Sequence, residues 1–207
     1  PVYMVLDCSG SMMGEPIQQV EQGVQMLTEA LRQDPHALET AYLSVITFDT
    51  NAKVSNPLTD LVSFQPPSLQ ASGITALGEA LELVTSQAES EVKQTTAEVR
   101  GDWKPMVFVM TDGMPTDDFE KGLSKFQSYK WGVVIGCSVN DGAPEVLQKI
   151  SGECVVALNT ADSSAMGAFF KWVTASVGTA SKAVEEAGKE VSRMDQLPPP
   201  PEEIQVV

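Results

Sequence analysis

The sequence predicts an α/β domain with a Rossmann-like, doubly wound, mostly parallel central sheet and one antiparallel edge strand. Short apolar runs of strand length alternate with segments in which apolar residues recur at helical spacing. That alternation is typical of a doubly wound sheet. Two of the apolar runs end at an aspartate, Asp7 and Asp112. Because ligands bind beyond the carboxyl ends of the strands in such sheets, we expect a binding site at that edge.

The first half of the chain contains three predicted strands and two predicted helices. The strands cover residues 2–6, 40–48 and 51–57, and the last is short enough to form the antiparallel edge. Small and polar residues predict loops at 8–14 and 65–73. The helices are recognised by apolar side chains on one face, which are Ile17, Val20, Val24, Leu27 and Leu31 in the first and Leu77, Ala80, Leu81 and Val84 in the second.

The second half repeats the pattern and ends in a segment of different composition. Predicted strands cover residues 106–110, 132–136 and 154–158, and predicted helices cover 118–129, 144–150 and 164–177. We therefore assign residues 1–178 to the domain. Residues 179–207 are expected to form a helical extension, continuing to about residue 193, and a proline-rich acidic tail. A solvated linker is the favoured interpretation of that tail, and a docking strip for another domain is the alternative.

The composition excludes several classes of partner. The net charge of −15 argues against nucleic acid and anionic membranes, because both require a basic surface. No apolar run approaches the length of a membrane span, and no basic, apolar leader opens the sequence. The cysteines at 8, 137 and 154 form neither a regular disulfide framework nor a zinc motif, and buried reduced thiols are expected. These features favour a reducing, cytoplasmic location.

A candidate metal site follows the first predicted strand. Asp7, Ser9 and Ser11 stand at alternate positions of a tight turn and offer one carboxylate and two hydroxyl oxygens. Magnesium prefers about six such hard oxygen ligands and retains water among them. Since two of these ligands are neutral, the ion would stay electrophilic, and an acidic side chain from a protein partner could complete its coordination.

Two later segments complete the candidate set. Thr75 precedes the second long helix, whose positive end favours anions or the water around an ion. Asp112 ends a buried strand, and Gly113 allows the turn that follows it. Asp117 and Asp118 lie close by, and we expect them to cap the following helix rather than to bind a second cation. His36 is expected to be an ordinary surface histidine in a loop.

The set Asp7-x-Ser9-x-Ser11, Thr75 and Asp112 resembles the metal-ion-dependent adhesion site of von Willebrand factor A (VWA) domains. The resemblance covers roughly residues 1–178. It implies a metal-dependent protein-binding module that is not an enzyme, with Ser9 and Ser11 binding the ion directly, Thr75 directly or through water, and the aspartates partly through water. Mg²⁺ is the expected ion because it is abundant in the cytoplasm, and Ca²⁺ or Mn²⁺ would also fit.

Four further stretches, residues 34–42, 63–69, 111–118 and 169–173, resemble the TerY-like proteins of bacterial tellurium resistance and stress response. That resemblance implies a cytoplasmic adaptor that assembles with other tellurium-resistance proteins or with a kinase or phosphatase.

Two other functions remain open from the sequence. One is a metal-dependent phosphotransfer enzyme that uses a strand-end aspartate, although no P-loop, no DxD pattern and no GxSxG elbow is present. The other is a purely structural domain in which the acidic residues only shape turns.

Overall fold

A single seven-stranded sheet forms the centre of the described chain. The computed structural model describes residues 1–93, 98, 101–140, 142–159, 163–191 and 193–207. The strands are β1 (Val2–Asp7), β2 (Tyr42–Phe48), β3 (Ala52–Asp60), β4 (Met106–Thr111), β5 (Val134–Val139), β6 (Val155–Leu158) and β7 (Gln205–Val206). Their order in the sheet is β3-β2-β1-β4-β5-β6-β7.

The strand directions confirm the predicted architecture. Strands β2, β1, β4, β5 and β6 are parallel to one another, and β3 pairs antiparallel with β2 at one edge. The other edge carries a strand that the sequence pattern did not predict, since β7 pairs antiparallel with β6. Strands β1 and β4 therefore lie in the middle of the sheet, where their carboxyl ends are adjacent.

Helices cover both faces of the sheet. They are α1 (Glu15–Gln33), α2 (Pro35–Thr40), α3 (Leu77–Glu91), α4 (Phe119–Ser128), α5 (Pro144–Ser151) and α6 (Ser163–Ala187). The first, second and sixth helices pack on the face that receives Met4 and Leu6 of β1. The other three pack on the face that receives Tyr3 and Val5. Because both faces are covered, every residue of β1 is buried, which explains its nearly continuous apolar run.

Close helix contacts depend on residues without a side chain. A Cβ atom on Gly23 of α1 would lie 2.0 Å from the ring of Phe170 in α6. A Cβ on Gly122 of α4 would lie 2.1 Å from the carbonyl oxygen of Gly78 in α3. Glycine is therefore required at both positions for the helices to approach this closely.

Some predicted elements differ from the structure. The segment around His36 is the short helix α2 and not a loop, because Asp34 accepts hydrogen bonds from the backbone N–H groups of His36 and Ala37 and caps it. This helix ends at Thr40, the residue at which the second strand was predicted to begin, and β2 begins two residues later, at Tyr42. Strand β5 also begins two residues later than predicted, at Val134.

The C-terminal segment packs against the domain. Helix α6 runs without a break past residue 178 and ends at Ala187, short of the expected end near residue 193. The solvated-linker interpretation is wrong for the residues beyond it, since Leu197 and Ile204 are buried in the hydrophobic core. The indole of Trp172 in α6 donates a hydrogen bond to the carbonyl of Pro198 (2.8 Å). Across the described ranges, no helix is long and apolar enough to cross a membrane.

Candidate metal centre

The candidate site lies where the carboxyl ends of the two central strands meet. Asp7 is the last residue of β1, and Asp112 directly follows the last residue of β4. The chain leaves β1 for α1 on one face of the sheet, whereas it leaves β4 for α4 on the other face. The loops at this edge therefore diverge, and they leave the crevice in which doubly wound proteins bind ligands.

Asp7 is a fully buried carboxylate, with 0% of its surface exposed. The backbone N–H of Ser9 donates to Oδ1 (2.7 Å), and the hydroxyl of Thr111 donates to Oδ2 (2.5 Å). Burial raises the pKa of Asp7, the hydrogen bonds from Ser9 and Thr111 oppose that rise, and the nearby charge of Asp112 adds to it. In the described part of the chain, no lysine, arginine or histidine forms an ion pair with Asp7. A cation bound nearby would supply the missing positive charge.

Ser9, Ser11 and Asp112 form a chain of polar oxygens. The hydroxyls of Ser9 and Ser11 are 3.0 Å apart, and the Ser11 hydroxyl donates to Oδ1 of Asp112 (2.7 Å). These spacings, which hydrogen bonding sets here, are close to the separation of about 2.9 Å between neighbouring ligands of an octahedral ion bound at about 2.0–2.1 Å. The oxygens are therefore already near enough to one another to share a small cation.

Thr75 is brought to the same edge by the loop before α3. The hydroxyl of Thr116 accepts from its backbone N–H (3.1 Å), and the backbone N–H of Thr116 donates to its carbonyl (2.9 Å). The Thr75 hydroxyl lies over Gly113, where an added Cβ would be 3.3 Å from it. Among the described residues, no hydrogen bond joins that hydroxyl to the other four side chains of the set. The Thr75 hydroxyl thus lies beside the hydrogen-bonded oxygens of Ser9, Ser11 and Asp112 without bonding to them.

The residue between Asp7 and Ser9 points into the protein. Cys8 is buried in the hydrophobic core, and burial raises the pKa of its thiol to about 12. The group therefore stays a neutral thiol at physiological pH. Cys8 and Cys137 are both free and buried, as the sequence predicted, whereas Cys154 is free but only partly buried.

Two residues near the site have roles that differ from the prediction or were absent from it. Asp118 caps α4, as expected, by accepting from the backbone N–H of Lys121 (3.2 Å). Asp117 instead caps α3, because its carboxylate accepts from the backbone N–H groups of Gly78 (3.0 Å) and Glu79 (2.7 Å). Thr111, the donor to Asp7, received no role from the sequence. Its one signal was a polar residue at the end of an apolar run.

The described residues bring together no three His, Cys, Asp or Glu side chains in a metal-binding arrangement. The candidate set has only two carboxylates, and its other members are hydroxyl groups. Such a set fits a hard cation that accepts neutral oxygens and water, since a soft metal would favour thiolate or imidazole ligands.

The chain is similar to known proteins in sequence pattern and in fold. The sequence model of the von Willebrand factor type A domain matches residues 2–172. No curated protein matched the chain.

Among solved structures, the chain is similar to a von Willebrand factor type A protein from Catenulispora acidiphila, with a TM-score of 0.65 and 18% identity over 86% of this chain and 42% of that one. Proximal thread matrix protein 1 of the mussel byssus gives a TM-score of 0.61 at 19% identity, over 84% of this chain and 46% of that one. The same mussel protein with a zinc-occupied MIDAS motif gives 0.55 at 19% identity, over 84% and 45%. The chain spans less than half the length of each of these proteins.

Proposed function

The chain belongs to the von Willebrand factor type A family, and we propose that it is a metal-dependent protein-binding module. Domains of this family generally mediate protein interactions, and some carry a metal site. The match of the family model ends at residue 172. We extend the domain to residue 178 and treat residues 179–207 as an addition to it.

Buried Asp7 is the observation that carries the proposal. Its carboxylate is buried, lies near a second carboxylate and has no basic partner among the described residues. An uncompensated buried charge is costly, and a bound cation is the simplest source of compensation at this edge. The adjacent oxygens of Ser9, Ser11 and Asp112 supply ligands of the right hardness.

Each residue of the set has a separate part in the proposal. Ser9 and Ser11 would hold the ion directly, Thr75 directly or through water, and Asp7 and Asp112 partly through water. Asp7 also organises the turn, since it already accepts from the Ser9 backbone N–H. The ion would supply an electrophilic centre for a carboxylate of the partner protein. No catalytic step is part of the proposal.

Mg²⁺ is the ion we propose. The set offers the hard oxygen ligands that Mg²⁺ prefers, and Mg²⁺ is abundant in the cytoplasm, the location that we propose for the chain. The zinc-occupied MIDAS of the mussel protein supports a divalent ion in the family, although it is not magnesium. Mn²⁺, Ca²⁺ and Zn²⁺ are therefore compared with Mg²⁺ in the test below.

A narrower proposal rests on the TerY-like stretches of the sequence alone. It is that the chain is a cytoplasmic adaptor in a bacterial tellurium-resistance or stress-response complex, with other proteins of that system or a kinase or phosphatase as partners. Co-purification with such proteins from the native host, lost on chelation of the metal, would support it. Recovery of the same proteins with Asp112→Ala would contradict it.

The test of the metal site is thermal melting after EDTA and again with each ion added. A ligand that binds only the folded protein stabilises it by about 2.7 kcal/mol at a hundredfold excess over its Kd. We expect Mg²⁺ to raise the Tm of the wild type and to leave that of Asp112→Ala unchanged. Asp118→Ala is the matched control, because it removes a carboxylate from the same loop but should keep the response.

A second measurement detects metal binding directly, without relying on the thermal stability of the variant. Titration with Mn²⁺, followed by electron paramagnetic resonance, should give one site in the wild type and none in Asp112→Ala. If no divalent ion binds or stabilises the wild type, the proposed function is wrong.

A further inference from the structure

Exposed apolar side chains are concentrated around the candidate metal centre. Among the described large hydrophobic residues, five are more than half exposed: Met13 (66%), Val62 (70%), Ile74 (52%), Met114 (60%) and Val206 (57%). Three of these, Met13, Ile74 and Met114, come from the three loops that carry the candidate ligands. We call these three residues the apolar rim.

The rim residues are close to the ligands because the loops are tied together. Met13 is two residues from Ser11, Ile74 is adjacent to Thr75, and Met114 is two residues from Asp112. The backbone N–H of Gly10 donates to the carbonyl of Gly73 (3.1 Å), which joins the first loop to the second. The backbone N–H of Thr116 donates to the carbonyl of Thr75 (2.9 Å), which joins the second loop to the third.

The exposure of the rim is not a by-product of an apolar loop. Met12 and Met13 are neighbours, yet Met12 is fully buried in the core at 0% exposure while Met13 is 66% exposed. Exposing a methionine or isoleucine side chain to water does not stabilise the folded protein. An apolar patch beside a polar centre is typical of an interaction surface. Methionine is also flexible and adapts to different apolar partners.

The negative charge of the chain restricts the charge that a partner surface can carry. The chain carries a net charge of −15, and Glu15, Asp117 and Asp118 are exposed on the same edge as the rim. A partner rich in acidic residues would be repelled by this field at every position except the cation itself. A single carboxylate surrounded by apolar side chains would avoid that repulsion and cover the rim.

We propose that the partner presents one glutamate or aspartate flanked by apolar residues, with the carboxylate directed to the ion and the flanks packed on Met13, Ile74 and Met114. This inference rests on the proposed metal-dependent function and specifies its partner. The bound segment is a short stretch of another protein and not a second copy of this chain.

A displayed peptide library tests the inference. Phage that carry a fixed central glutamate with three random residues on each side are bound to the wild-type protein in Mg²⁺ and eluted with EDTA. We expect leucine, isoleucine, methionine or phenylalanine to be enriched at the flanking positions, and aspartate and glutamate to be depleted there. Enrichment of polar or acidic flanks, or no EDTA-dependent enrichment from a protein that binds Mn²⁺, would overturn the inference.

Substitutions at the rim provide the second readout. Each of Met13→Ser, Ile74→Ser and Met114→Ser should weaken the binding of a selected peptide about fivefold, the factor expected when about 40 Å² of apolar surface is lost from an interface. Their Mn²⁺ affinity should not change. Val62→Ser is the matched control, because Val62 is at least as exposed as the rim residues but follows β3 at the opposite edge of the sheet.

The failures of the two proposals can be told apart. Loss of Mn²⁺ binding in the wild type contradicts the proposed function itself. If Mn²⁺ binding is normal but the wild type and the rim variants bind the peptide with equal affinity, only the proposal that the apolar rim contacts the partner is contradicted. Self-association in Mg²⁺ that the rim variants abolish, measured by sedimentation without peptide, would replace the external partner with a second copy and also overturn the inference.

Discussion

Replacing Asp117 with alanine should destabilise the protein more than replacing its neighbour Asp118. Helix α3 begins after Ala76, a residue that has no side-chain group able to cap it. Asp117 takes over that function from 38 and 39 residues away, by accepting from the second and third N–H groups of the helix at 3.0 and 2.7 Å. The cap is therefore a tertiary contact between the loop after β4 and the start of α3.

The expected cost follows from the two bonds that are lost. Removal of a single N-cap side chain costs about 0.5–2 kcal/mol, and a carboxylate also interacts favourably with the positive end of the helix. We expect Asp117→Ala to lower the free energy of unfolding by about 2 kcal/mol, which corresponds to a decrease in Tm of about 4–8 °C for a chain of this size. Asp118→Ala should cost about 0.5–1 kcal/mol, because Asp118 makes one capping bond of 3.2 Å.

Urea denaturation in EDTA measures both variants without any contribution from a metal ion. Asp117→Asn provides a further comparison, since an amide keeps one acceptor but loses the charge, and it should recover about half of the loss. The reasoning is refuted if Asp117→Ala costs no more than Asp118→Ala, or if Asp117→Asn is as unstable as Asp117→Ala.

Three further predictions concern packing, pH and the C-terminal segment. Gly122→Ala should lower the free energy of unfolding by about 3 kcal/mol in the same urea titration, because its Cβ would lie 2.1 Å from a backbone oxygen of α3. Gly167→Ala in α6 is the control and should be neutral or slightly stabilising, because no atom lies within 4 Å of its added Cβ. The hydrogen bond from His36 to Glu185 raises the pKa of His36, so this pair stabilises the fold fully below about pH 6.5 and loses its effect as the pH rises through the raised value. The difference in Tm between the wild type and Glu185→Gln should accordingly shrink from about pH 5.5 to about pH 8.5, and a constant difference would contradict this. Leu197→Ala should cost about 2 kcal/mol by calorimetry if the C-terminal segment is part of the core, and no measurable cost would mean that the segment detaches in solution.

Local patterns in the sequence were sufficient for the fold class and for the candidate ligands. The apolar runs that became β1 and β4 are nearly continuous because both faces of those strands are buried, and that property is visible in the residues themselves. The spacing of Asp7, Ser9 and Ser11 belongs to one turn, so it also can be recognised without knowledge of distant contacts. The sequence predicted the five metal ligands as a set, and their binding of an ion stays a prediction.

Contacts between distant segments were beyond those patterns. Asp117 was expected to cap the helix that follows it, because sequence rules for caps consider only neighbouring residues. In the structure, its carboxylate caps α3 instead. The bonded amide of Glu79 lies 38 residues before Asp117 in the chain, and even the last residue of α3 lies more than 25 residues before it. The hydrogen bond from Thr111 to Asp7 joins two strands that are 104 residues apart, and no local signal identifies that partner.

The sequence by itself determined most of the strands and helices, where the two central strands end and which candidate oxygen ligands lie there. Only the tertiary structure decided that the C-terminal segment is packed and that its end forms an edge strand on β6. It also decided that Met13 is exposed while Met12 is buried. The physical reason is that periodicity records how much of a segment is buried, whereas the partner that buries it, or the absence of one, depends on how segments distant in the chain are brought together.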